Sequence, residues 1–240
     1  MTQPSKTALV VSAHSADFVW RAGGAIALYA RRGYQVIIVC LSFGERGESK
    51  KLWKYPGATL DSVKACRRAE AEAAAEVLDA KTVFLDIGDY PLRPSAEHMD
   101  QLVDVYRRYQ PEFVLTHSLH DPYNYDHPLA ANMAQEARII AQAWGHKPGE
   151  KILGAPGVFL FEPHQTEQCN WKPQVILDIT EVWDIKYKAF QTMAAQEHLW
   201  EYYTRVALQR GVQGVRNSGR AMKYGEAYQR IFPMVTEAFR

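Results

Sequence analysis

The sequence predicts an α/β fold, a Rossmann-like sandwich around a mostly parallel sheet, and three observations carry that expectation. Short β-branched apolar runs alternate with longer segments of helical spacing. The runs are continuously apolar, as strands covered on both faces require, whereas a half-solvated sheet would alternate. Histidines, acids and arginines gather just after the runs, where loops at the carboxyl edge of a parallel sheet bind ligands.

Each element has its own signal. Residues 8–13 read as the first strand, and helical spacing follows over 18–32. Gly33, just after Arg31 and Arg32, caps that helix before the second strand, 35–42. A helix over 60–78, a strand over 82–87, a helix over 96–109, a strand over 113–117 and a helix over 128–144 continue the alternation. Strands over 158–162 and 174–179 and one helix over 181–203 complete it. The Pro- and Gly-bearing stretch GHKPGEKILGAPG reads as an exposed excursion, and ESKKLWKYPG as a mobile flap. No linker, repeat or low-complexity segment divides the 240 residues, so one domain over 1–240 is expected.

Composition excludes several classes of function. The 28 basic and 27 acidic residues nearly cancel, so nothing advertises a nucleic-acid partner. Cys40, Cys66 and Cys169 show no CxxC spacing, which argues against a disulfide framework or a cysteine zinc site. No leader-like stretch and no window of about 18 apolar residues is present, so a cytoplasmic protein without a membrane partner is expected. The aromatic residues toward the C-terminus, including Trp183, Tyr187, Trp200, Tyr202 and Tyr203, read as core or oligomer contacts rather than a base-stacking platform. A homo-oligomer is the expected assembly.

The loops after the strands carry the chemistry. A GxGxxG phosphate loop would fall in AHSADF, which holds no glycine. His14 and Asp17 lie one helical turn apart there, and Asp126 with His127 opens a later helix that can supply a third ligand. Two histidines and a carboxylate with an open position suit catalytic zinc. His14 can equally be a structural histidine, and Asp17 a helix N-cap. His117, His120 and Asp121 crowd the same loop, as partners that orient ligands or as solvated residues.

The stretches AHSAD at 13–17 and NYDH at 124–127, with RRAEAEAAAEVL and the late YGEAYQRI, resemble the LmbE-like or PIG-L metal-dependent de-N-acetylases. That resemblance covers most of the chain and implies His14, Asp17 and His127 as ligands of Zn2+. In the family motif AHPDD the first aspartate is the general base; here Ala16 stands in its place and cannot take a proton. The first histidine of the family's HPDH is here Asn124, which can donate a hydrogen bond to substrate but carries no proton.

The wording SAHSADFVWRAGGAIA with CLSFGERGES is similar to one divergent branch, the 4-oxalomesaconate hydratases of bacterial gallate catabolism. That likeness implies hydration of a conjugated double bond in a small anionic tricarboxylate, giving 4-carboxy-4-hydroxy-2-oxoadipate. Hydration needs a base for water and an acid for the neighbouring carbon. Glu48 in GERGES and His164 in EPHQ are the candidates, each open to a plain reading as a loop residue, with Glu45 a rival. Arg46, in the right loop, and more weakly Arg216 and Arg220 are the candidate carboxylate contacts. An amidohydrolase with a recruited base, and a non-catalytic metal- or carboxylate-binding protein, are the alternatives.

Overall fold

A computed structural model describes residues 6–237. Seven strands form one sheet: β1 (Thr7–Ser12), β2 (Gln35–Cys40), β3 (Ala80–Phe84), β4 (Phe113–Thr116), β5 (Gly157–Phe161), β6 (Val175–Asp178) and β7 (Gly225–Arg230). Their spatial order is β3-β2-β1-β4-β5-β7-β6. The first five run parallel, with Val10 of β1 paired to Ile38 of β2 on one side and Leu115 of β4 on the other. The helices are α1 (Asp17–Arg31), α2 (Lys50–Trp53), α3 (Leu60–Val77), α4 (Ala96–Tyr109), α5 (Asp126–Gln142), α6 (Trp183–Thr192) and α7 (Leu199–Ser218).

Burial on both faces explains the continuous apolar runs. Val10 and Ile38 pack with α1, α3 and α6, while Leu9, Val11 and Ile37 pack with α4 and α5. Thr59 and Ser95 cap α3 and α4, each accepting from a backbone N–H three residues on. The chain leaves β1 toward β2 and β3, then returns to β4 on the other side. The β1–β4 crevice is therefore the topological switch point, and its carboxyl end is where a ligand site is expected. All three cysteines are free, Cys66 only half-buried. Among the described residues no helix is long and apolar enough to cross a membrane.

Two expectations are corrected. The seventh strand, Gly225–Arg230, lies in YGEAYQRI and inserts antiparallel between β5 and β6. The single helix over 181–203 is instead a short 3-10 turn, α6, a second 3-10 turn over Ala194–Gln196 and the start of α7. Tertiary partners hold that break: the Ala195 N–H donates to Glu70 Oε1 at 2.8 Å, and Gln196 Oε1 accepts from Arg67 Nη2 at 2.8 Å. The expected flap contains α2, and Trp53 Nε1 ties it to the Glu45 carbonyl at 2.6 Å.

Candidate metal centre

The turn after β1 builds the first half of the site. The His14 N–H donates to Asp17 Oδ2 at 3.0 Å, so the turn aims that carboxylate back at the histidine. The N-cap of α1 is Ala16 without a side-chain cap, and Asp17 opens the helix with its carboxylate turned to the imidazoles. His14 Nδ1 lies 3.0 Å from Asp17 Oδ2 and 3.2 Å from Glu48 Oε1, while Nε2 faces Asp126 Oδ2 at 3.3 Å. Asp126 also accepts from the Tyr90 and Leu92 N–H groups, which fixes it as an orienting partner of His14.

The second half comes from the loop after β4. His127, in the first turn of α5, meets Asp121 Oδ2 through Nδ1 at 2.8 Å. That bond assigns the proton to Nδ1 and leaves Nε2 with a lone pair. Nε2 is buried, lies 3.5 Å from Asp17 Oδ1 and has no hydrogen-bond partner. His117 does not offer a ligand atom in the same way: its Nε2 accepts from the Ala13 N–H at 2.9 Å, and its ring stacks on His127 at 4.2 Å. His120 is an exposed loop residue.

Ligand atoms of His14, Asp17, Glu48 and His127 lie within 4.8 Å of one another. Tetrahedral bonds of about 2.0–2.2 Å place ligand atoms about 3.3–3.6 Å apart. Of the observed separations, 3.5 Å falls within that spacing and 3.0 and 3.2 Å fall just short of it. Electrostatics point the same way. Burial opposes charge on His14, yet Glu48, Asp126 and Asp17 outweigh it and hold the imidazole well above the usual histidine range. Burial likewise opposes charge on Asp17 and Glu48, but neighbouring imidazoles hold both carboxyls below their usual range. Three carboxylates around one imidazole, Asp17 and Asp126 buried and Glu48 half-buried, call for positive charge, and an orphaned imidazole nitrogen beside them suits a divalent cation.

A cavity of about 340 Å³ opens onto this cluster, and His164 is part of its lining. Burial, then the Arg21 charge, lowers the His164 pKa, and its ring stacks on Tyr202 at 4.2 Å. Asn124 lines the cavity and its Nδ2 donates to Glu48 Oε1 at 3.4 Å. Gly47 lets the loop carrying Glu48 pass Tyr90: a Cβ there would lie 2.1 Å from the ring. The rival Glu45 is turned away, its carboxylate accepting from the Phe43 N–H.

The arginine expectations are corrected. Arg46 donates through Nη1 to the Asp89 carbonyl at 2.8 Å and does not line the cavity. Arg216 lies 13 residues beyond Tyr203, the last α7 residue at the cavity, so the helix carries it about 20 Å away. Arg220 follows the end of α7 and lines a different groove beside β6. The cavity's arginine is Arg21, buried on α1 one turn after Asp17. Its signal was a lone charge inside the apolar helix FVWRAGGAIALYA.

The profile of the PIG-L family, described as GlcNAc-PI de-N-acetylase, matches residues 9–138. A 4-oxalmesaconate hydratase of Pseudomonas putida KT2440 is 67% identical over 99% of this chain and 93% of its own length. The crystal structure of GalB, the 4-carboxy-2-hydroxymuconate hydratase of the same organism, superposes with a TM-score of 0.96 at 66% identity, covering 98% of this chain and 100% of that one. More distant is the diacetylchitobiose deacetylase of Thermococcus kodakarensis, 27% identical over 88% of this chain and 82% of that protein. The N,N'-diacetylchitobiose deacetylase of Pyrococcus horikoshii shares the fold, with a TM-score of 0.78 at 24% identity over 95% of this chain and 85% of that one.

Proposed function

The chain belongs to the PIG-L family, and from that premise we propose that it is a hydro-lyase of gallate degradation. It adds water to the conjugated double bond of 4-oxalomesaconate to give 4-carboxy-4-hydroxy-2-oxoadipate. The observation that carries this reading is the near-full-length likeness to the Pseudomonas putida hydratase. The site chemistry supports it. Ala16 is fully buried and offers no proton acceptor, so the scaffold lacks the base that amide hydrolysis uses.

We assign zinc to His14, Asp17 and His127, with Asp121 and Asp126 orienting the two imidazoles. When bound, the ion supplies a Lewis acid able to polarise the substrate or acidify water. Glu48, beside His14 and Asn124, accepts the proton of the attacking water, whose hydroxyl joins the fully substituted alkene carbon, the one that becomes C4 of the product. His164, which lines the same cavity, delivers a proton to the neighbouring carbon, and the amide of Asn124 donates to the substrate. The enzyme works in the cytoplasm as a homo-oligomer; the exposed stripe Leu208, Val212 and Val215 on α7 supports the assembly.

The test is a paired assay of metal-loaded protein. With 4-oxalomesaconate the conjugated ultraviolet absorbance is expected to disappear, and with N-acetylglucosamine conjugates no amine is expected. Amine release without loss of absorbance would overturn the reading in favour of an amidohydrolase.

A further inference from the structure

We propose that Arg21 is the receptor for a carboxylate of the substrate, an assignment that rests on the hydratase reading for the identity of the anion. The cavity lined by His127 and His164 is lined also by the carboxylates of Asp17, Glu48 and Asp121, and among the described residues Arg21 is its only arginine or lysine. A tricarboxylate entering beside three acids needs fixed positive charge, and the arginines expected from the sequence lie elsewhere.

Arg21 is buried, and its hydrogen bonds fix the guanidinium without neutralising it. Nη1 donates to the Glu162 carbonyl at 2.7 Å, a neutral acceptor at the end of β5. The Glu162 carboxylate is taken by Arg210. Nε reaches Asp17 Oδ1 only at 3.4 Å, and Asp17 is already bonded to the His14 N–H and turned to two imidazoles. Nη2 has no partner among the described residues. Trp20 and Tyr203 line the same cavity, and Trp20 Nε1 is a buried donor without an acceptor. A buried arginine whose nearest acid is committed elsewhere is costly to the fold unless an anion completes it. A planar guanidinium with a free edge suits a carboxylate of the bound substrate.

The test compares wild type with Arg21→Met and Arg21→Lys in turnover of 4-oxalomesaconate, in metal content, and in calorimetric binding of propane-1,2,3-tricarboxylate. A charge-assisted hydrogen bond is worth enough for about a 10- to 100-fold change in affinity. Arg21→Met is expected to raise KM and weaken tricarboxylate binding by that factor, with metal content unchanged and kcat much less affected. Arg21→Lys is expected to recover part of the affinity. Unchanged tricarboxylate affinity in Arg21→Met overturns the proposal, and so does loss of its metal, which would make Arg21 a positioning residue for Asp17. If Arg21→Met fails to fold, Arg21→Lys decides: wild-type KM and affinity would overturn the proposal, while a raised KM with full metal supports it. Wild-type protein that binds tricarboxylate but leaves 4-oxalomesaconate untouched would overturn the hydratase reading instead.

Discussion

Charged groups are buried at two places along α1, and they close their hydrogen bonds differently. In the middle of the helix the Glu226 carboxylate accepts from the Gly24 and Ala25 N–H groups at 2.7 Å each, from Lys186 Nζ at 2.5 Å and from the Tyr228 hydroxyl at 2.7 Å. Lys186 also donates to the Trp20 carbonyl at 2.9 Å. Gly24 permits this approach, because a Cβ there would lie 2.9 Å from Glu226 Oε1. Every charge has its answer within the fold. At the start of the same helix three carboxylates converge on His14, and His127 Nε2 is left without a partner. A satisfied buried network fixes a structure, whereas an unsatisfied one is completed by a ligand.

That contrast can be broken by substitution. The largest effect is expected from Glu48→Gln, which removes the proposed base: kcat should fall by about 100- to 10,000-fold. Metal analysis of the same variant decides its role, since Glu48 stands among the candidate ligand atoms. Retained metal supports proton transfer, and lost metal makes Glu48 a ligand. His164→Ala is expected to lower kcat by at least the low end of that range with metal content intact.

Lys186→Met tests the satisfied network. Leaving Glu226 buried and unpaired should cost about 3–5 kcal/mol of stability in urea denaturation. Lys186→Met/Glu226→Gln should recover part of that loss, and metal content should not change in either. A Lys186→Met protein as stable as wild type would show that the two networks do not differ as described. The smallest effect is expected from Arg46→Ala, whose side chain is turned to the Asp89 carbonyl. Its kcat/KM should stay within about twofold of wild type, as for surface substitutions generally.

Strand and helix periodicity made most of the architecture legible, because β1, β2, β4 and β5 are largely buried with helices packed on both faces, while β3 is a half-exposed edge strand. β7 escaped because Gly225, Glu226 and Gln229 break the apolar pattern; Glu226 is buried for its bonds to α1, which no local pattern announces. The break over Ala194–Gln196 escaped because its cause, Arg67 and Glu70, lies more than a hundred residues away in sequence. Within the site, ligand-type residues at the strand ends were readable and do converge. The arginines were not, because loop position says nothing of side-chain direction: Arg46 turns away, while Arg21 reaches the cavity from inside a helix.

The central claim is that the cluster at the start of α1 is completed by one divalent cation held by His14, Asp17 and His127. Metal analysis of wild type and His127→Ala, each saturated with zinc and freed of excess, tests it most directly. The account predicts about one equivalent per chain in wild type and a loss of most of it in the folded variant. Full occupancy in His127→Ala, or none in wild type, would contradict it.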